Sequence, residues 1–208
     1  MRGRDYKPNF AGAYFHAYNR GANKSLVFLD DQDYQNFIFR AKILLGIEPS
    51  PKRTAKGGLR LKPLALKALE ILCFCLMPNH FHFLVKQNEI NGLKMFLHRL
   101  CTSYSWYFNK KYGHVGHIFQ GIYKSKNVLE DNYLTQLTAY IHLNPAQPYK
   151  WKYSSLPTYL GETHVGLANP QMFMSMHKLT PKIYKKFLHK NYNFKSLNQV
   201  ELTFEEED

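Results

Sequence analysis

The sequence predicts an α+β fold built on an antiparallel sheet. Three observations carry that expectation. Strand-length apolar or aromatic runs occur at 13–20, 71–77, 80–86 and 117–129, and longer stretches of helical periodicity lie at 31–45, 91–112 and 131–143. Their order is strand, helix, strand, strand, helix, strand, helix. That is the order of a split βαβ, or ferredoxin-like, sandwich, whose helices cover one face of the sheet and leave the other to a ligand.

Each element has a local reason. The first strand is rich in aromatics and ends at Asn19-Arg20-Gly21. Asp31 or Asp33 is expected to cap the first helix, which sets Phe37, Ile38, Ala41 and Leu44 on one face. Residues 46–67 then change character, with Pro49, Pro51, Pro63, Gly57 and Gly58 among Lys52, Arg53, Lys56, Arg60 and Lys62. This reads as a basic loop with a short helix near Leu64 to Leu69. Pro78-Asn79 splits the next apolar run into a hairpin. The second helix carries Leu93, Phe96, Leu97, Leu100, Tyr104 and Phe108 at helical spacing, with Lys94, His98 and Arg99 between them. His117 to Leu129 reads as a strand containing Gly121. Asp131 or Asn132 opens a helix to Leu143, which Pro145 stops. Beyond it, Pro181 to Asn191 reads as a short basic helix.

The 208 residues suffice for one substantial core, and 45% are hydrophobic. Lys and Arg number 28 against 15 acids, a formal charge of +13, although the chain ends in Glu205, Glu206, Glu207 and Asp208. Such an excess calls for a polyanion. Aromatics at 15% of the chain favour a single-stranded nucleic acid, whose bases stack on rings while cations hold phosphates. No apolar run reaches the roughly 18 residues of a membrane span, and the basic, polar opening is no signal peptide. Three cysteines form no disulfide framework. The expected setting is a reducing cytoplasm, with no membrane partner.

Two pairs of residues carry the chemistry. His80 and His82 alternate about Phe81 on a strand, so both imidazoles point one way and can share a cation while Phe81 anchors the core. Tyr140 and Asn144 stand one helical turn apart, which pairs a phenol nucleophile with an amide oxygen ligand. Cys73 and Cys75, just before the hairpin, open a Cys₂His₂ zinc alternative, although the usual zinc spacing is absent.

These segments together resemble single-tyrosine HUH transposases, and within them the REP-associated tyrosine transposases. Met77-Pro78-Asn79-His80-Phe81-His82-Phe83-Leu84-Val85 is similar to their signature hairpin. His117-Ile118-Phe119-Gln120-Gly121-Ile122-Tyr123-Lys124 is similar to the following strand, and Tyr140-Ile141-His142-Leu143-Asn144-Pro145 to the nucleophile helix. Tyr14 to Gly21 and Tyr153-Ser154-Ser155 extend the match from Tyr14 to Gly161. The resemblance implies that Tyr140 is the catalytic nucleophile and that His80, His82 and Asn144 bind Mg²⁺ or Mn²⁺. It implies a covalent 5′-phosphotyrosine on single-stranded DNA beside hairpins of repeated palindromic elements, with no small-molecule cofactor. Asn19, Arg20, Gln120, Lys124, Lys126 and Arg99 are the expected DNA contacts. The enzyme is expected as a monomer or homodimer in a bacterial cytoplasm, at the nucleoid. Residues 1–160 form the transposase domain and 161–208 a C-terminal tail.

The chain departs from the family pattern at Ile122, where Arg is frequent, and at Tyr153, where Trp is usual. Residues 46–67 also look longer and more basic. Imidazoles alone favour softer metals, which makes Mn²⁺ the better physical compromise. The alternative reading is a non-catalytic single-stranded nucleic-acid-binding module on the same fold.

Overall fold

The computed structural model describes residues 10–51, 61–162 and 166–198. Its strands are β1 (Ala13–Arg20), β2 (Leu69–Met77), β3 (His80–Gln87) and β4 (Lys124–Val128). The helices are α1 (Asp31–Leu44), α2 (Gly92–Tyr112), α3 (Asp131–His142), α4 (Leu156–Tyr159), α5 (Gln171–Met176) and α6 (Pro181–Asn198). The sheet order is β2-β3-β1-β4 with every neighbouring pair antiparallel, so the ferredoxin-like expectation holds.

Alternation along β1 and β3 sorts residues between two cores. Phe15, Ala17, Phe81, Phe83 and Val85 pack with Phe37 and Ala41 of α1 and with Phe96, Leu97 and Tyr104 of α2. Cys73, Cys75 and Leu84 face the other way, against Leu137 and Ile141 of α3, then Tyr159, Phe173, Tyr184 and Leu188. The second face is therefore covered, a departure from the open face that the element order predicts. The reason lies in β2, LEILCFCLM, which is apolar on both faces and buried at all but Glu70 and Met77. Such a strand needs a layer on each side.

Other expectations shift locally. The α1 N-cap is Asp30, whose side chain accepts from Asp33 N–H. Asp33 closes a capping box from N3. Its buried carboxylate also binds Lys111 (2.9 Å) and Tyr112 (2.8 Å), tying the start of α1 to the end of α2. No helix forms at 64–69; a turn with Lys67 at φ 58° leads into β2 two residues earlier than expected. The proposed strand 117–129 reduces to β4. Ile118 and Phe119 are consecutive and both buried, which breaks strand alternation, and Gly121 at φ 154° breaks the backbone. The core of the basic loop, 52–60, and the acidic end lie outside the described residues. Among the described residues no helix is long and apolar enough to cross a membrane.

Candidate active site

Register places the candidate residues on the α3-covered face in cross-strand rows. His82 stands opposite Cys75 on one side and Tyr18 on the other, and Tyr18 stands opposite Lys124. The next row holds Met77, His80 and Arg20, and the row on the other side holds Cys73, Leu84, His16 and Lys126. Phe81 points into the opposite core with no exposure, as the His-Phe-His pattern requires.

The β2–β3 turn fixes His80. Gly21 N–H donates to the Asn79 carbonyl at 2.7 Å, and Asn79 Nδ2 donates to the Lys24 carbonyl at 3.1 Å. A Cβ on Gly21 would stand 2.0 Å from the Ser25 carbonyl oxygen, so only glycine fits here. With Nδ2 so committed, Asn79 turns Oδ1 to His80 Nδ1 at 2.7 Å. An amide oxygen only accepts, so Nδ1 carries the proton, and in the neutral ring Nε2 presents its lone pair. Asn144 Oδ1 lies 3.2 Å from that Nε2. A lone-pair nitrogen and an amide oxygen facing each other at this distance form a chelating bite. The donor set fits a divalent cation on that ground.

Behind His80 the site narrows. His82 is fully buried, with its ring centroid 5.0 Å from that of His80. Its Nδ1 lies 3.0 Å from Nε2 of His16, itself 1% exposed. Tyr140, on the inner face of α3 and 7% exposed, sits edge-on to His82 at 5.6 Å and to His16 at 6.0 Å. Asn144 is half-buried. The helix ends at His142 with Leu143 as C-cap, so Asn144 reaches His80 from just beyond the helix and not from its last turn.

A second buried network holds α3. Thr138 Oγ1 donates to the Thr135 carbonyl (2.8 Å), so the Tyr184 hydroxyl donates to Thr138 (2.9 Å) and accepts from His142 Nδ1 (2.7 Å). His142 Nε2 then accepts from Ser155 Oγ at 2.7 Å and faces the Cys73 thiol at 3.3 Å. Burial pushes the His142 imidazole down to about 3, so it stays neutral, as this network demands.

The expected DNA contacts divide. Lys124 is exposed and Lys126 half-buried on the site's own face, and Arg20 lies opposite His80. Gln120 is exposed, with its N–H bound to the Arg20 carbonyl at 2.8 Å. Asn19 is buried on the other face, where its amide donates to the Gly121 carbonyl at 3.1 Å. Arg99 binds the carbonyls of Lys62 (2.9 Å) and Pro63 (3.2 Å) on α2, away from the histidines. Lys94 and His98 are exposed on that same remote helix. Burial raises the thiols of Cys73 and Cys75 well above the usual range, and Cys75 turns to Met77 Sδ at 3.7 Å. Other tyrosines have structural employment: Tyr104 donates to the Val27 carbonyl at 2.6 Å and Tyr107 to Asp33 at 3.1 Å. His16, Tyr18 and Asn79 were not singled out in the sequence. The two-residue spacing of His16, Tyr18 and Arg20 on one strand was the available signal.

The chain is similar to known proteins in part of its sequence and in its fold. The family described as "Transposase IS200 like" matches residues 64–144. A solved REP-associated tyrosine transposase bound to a REP hairpin is 16% identical, with 82% of this chain and 89% of that one covered and a TM-score of 0.52. A transposase candidate from Deinococcus radiodurans R1 is 15% identical over 68% of this chain and 95% of that one, at a TM-score of 0.38. Saccharomyces cerevisiae tRNA(His) guanylyltransferase is 9% identical over 89% and 76%, at 0.40. Only the first of these is close enough to speak to the fold. No curated protein matches the sequence significantly. Residues 64–144, which hold the hairpin histidines, Tyr140 and Asn144, thus match the IS200-like transposase family, and the chain as a whole is similar in fold to a REP-associated tyrosine transposase.

Proposed function

We propose that this chain cleaves and rejoins single-stranded DNA beside a hairpin, with Tyr140 as nucleophile and a divalent cation held by His80, His82 and Asn144. The observation that carries the reading is the bite of His80 Nε2 and Asn144 Oδ1, 3.2 Å apart, beside a histidine that contacts Tyr140 edge-on. The hairpin in the related structure supports the choice of substrate.

The Tyr140 phenol oxygen attacks the phosphorus of a phosphodiester. The Oη–P bond forms, the P–O3′ bond breaks, the phenol proton is released, and the departing oxygen takes up a proton as a free 3′-OH. The strand remains attached as a 5′-phosphotyrosine ester, which another 3′-OH reverses by the same exchange. Bond energy is conserved, so no nucleotide cofactor is required. Mg²⁺ or Mn²⁺ bound at the site supplies positive charge to the phosphate and favours the phenolate, and two imidazoles with one amide oxygen suit Mn²⁺ better. Lys124, Lys126, Arg20 and Gln120 hold backbone phosphates, which position the strand without reading it. The enzyme acts as a monomer or a homodimer. On this reading residues 1–160 perform the chemistry, Phe173, Tyr184 and Leu188 of the C-terminal segment 161–208 brace it, and the work is done in the bacterial cytoplasm, at the nucleoid.

The test uses end-labelled hairpin DNA with a single-stranded flank, taken from beside the gene, with Mn²⁺, on a denaturing gel. A covalent adduct is expected from the wild type and none from Tyr140→Phe or His80→Ala. Tight metal-independent binding by all three proteins without adduct would instead establish the non-catalytic binding module.

A further inference from the structure

His16 has no part in the proposed chemistry, yet it is buried to 1% exposure at the centre of the site. It lies diagonally across β1 and β3 from His82: Tyr18 is the register partner of His82, and Leu84 that of His16. Diagonal neighbours on one face are within reach of aromatic side chains. The two rings stack at 18° with centroids 5.2 Å apart, and His16 Nε2 meets His82 Nδ1 at 3.0 Å. A nitrogen–nitrogen contact of that length holds one proton, which sits on one ring or the other.

We propose that His16 is a positioning residue that accepts the Nδ1 proton of His82, so that His82 offers Nε2 as a lone pair. The inference rests on the metal-site reading above. On that reading both hairpin histidines are set alike, by different means. Asn79 from the turn accepts Nδ1–H of His80, and His16 from the adjacent strand accepts Nδ1–H of His82. A ligating histidine commonly gives its other N–H to a carboxylate, a carbonyl or water. Here a neutral ring performs that task in a place closed to water.

Two measurements test the proposal. In the metal-free wild type, long-range ¹H–¹⁵N correlation spectra should show His82 protonated at Nδ1 and bare at Nε2. A His82 protonated at Nε2 overturns the proposal without reference to any metal. Mn²⁺ binding without DNA is then compared by electron paramagnetic resonance in the wild type, His16→Ala and His16→Gln. The alanine variant should bind roughly 10–100-fold more weakly. Glutamine, whose amide oxygen accepts the same proton, should recover most of that loss, which a merely space-filling role would not require. Equal affinity in the wild type and His16→Ala removes the role of His16 and leaves the metal site standing. A wild type that binds no Mn²⁺ removes the metal site itself. Should His16→Ala fail to fold, the wild-type spectrum decides.

Discussion

Asn79 selects which nitrogen of His80 faces Asn144, and it does so because its Nδ2 already donates to the Lys24 carbonyl, which turns Oδ1 toward the ring. On the proposed reading Asn79→Ala should weaken Mn²⁺ binding by about 10–100-fold while leaving the ligands in place. Asn79→Asp, which still accepts at the same atom, should bind far better than the alanine variant. Calorimetric titration of both checks this. At this scale the sequence was partly legible. His80 and His82 follow from strand alternation, and Tyr140 with Asn144 from helical spacing, because both are rules of local geometry. His16 was not legible as a partner of His82, since 66 residues separate them and only the β1–β3 register joins them. Asn19 misled for a related reason: its polar end looks like a DNA contact until Gly121 is brought back to it.

Among the elements, α6 changes meaning most between sequence and structure. Read alone, it is a basic helix. In the fold its Tyr184 and Leu188 are wholly buried against α3, and Tyr184 completes the hydrogen bonds of His142 and Thr138. Its exposed lysines hid that apolar face, which only the partner helix defines. Tyr184→Phe strands a buried His142 N–H and should cost about 1–3 kcal/mol of stability. Urea unfolding of the two proteins measures it. The 117–129 segment shows the opposite error. Its aromatic and β-branched residues have strand propensity, yet Gly121 and the paired burial of Ile118 and Phe119 override it, which delays β4 until Lys124.

For the whole molecule, a formal charge of +13 implies that, on the proposed reading, DNA affinity should fall steeply with salt. Lys124→Ala combined with Lys126→Ala should reduce the slope of log affinity against log salt by up to about 1.4 for a single strand, at roughly 0.7 per lost phosphate contact. Fluorescence anisotropy across a salt series reads this directly. An unchanged slope would place the phosphates elsewhere. The sheet order was legible in the element order, because split βαβ units have few ways to pair. The covering of the second face, by α3 and by Tyr159, Phe173, Tyr184 and Leu188 behind it, was not.

The proposed ligands, His80, His82 and Asn144, carry no formal negative charge, and neither do the residues that set the two histidines, Asn79 and His16. A dication seated among them keeps its whole charge until an anion arrives, and the anion on offer is the scissile phosphate. Thermodynamic linkage then makes the two ligands each other's effector. On the proposed reading DNA should raise the affinity for Mn²⁺ by some factor, and Mn²⁺ should raise the affinity for DNA by that same factor. Titrating metal with and without hairpin DNA, and hairpin DNA with and without metal, should return one coupling free energy from two directions. A site built this way would hold its metal weakly away from its substrate and fill only when a strand is in place to be cut.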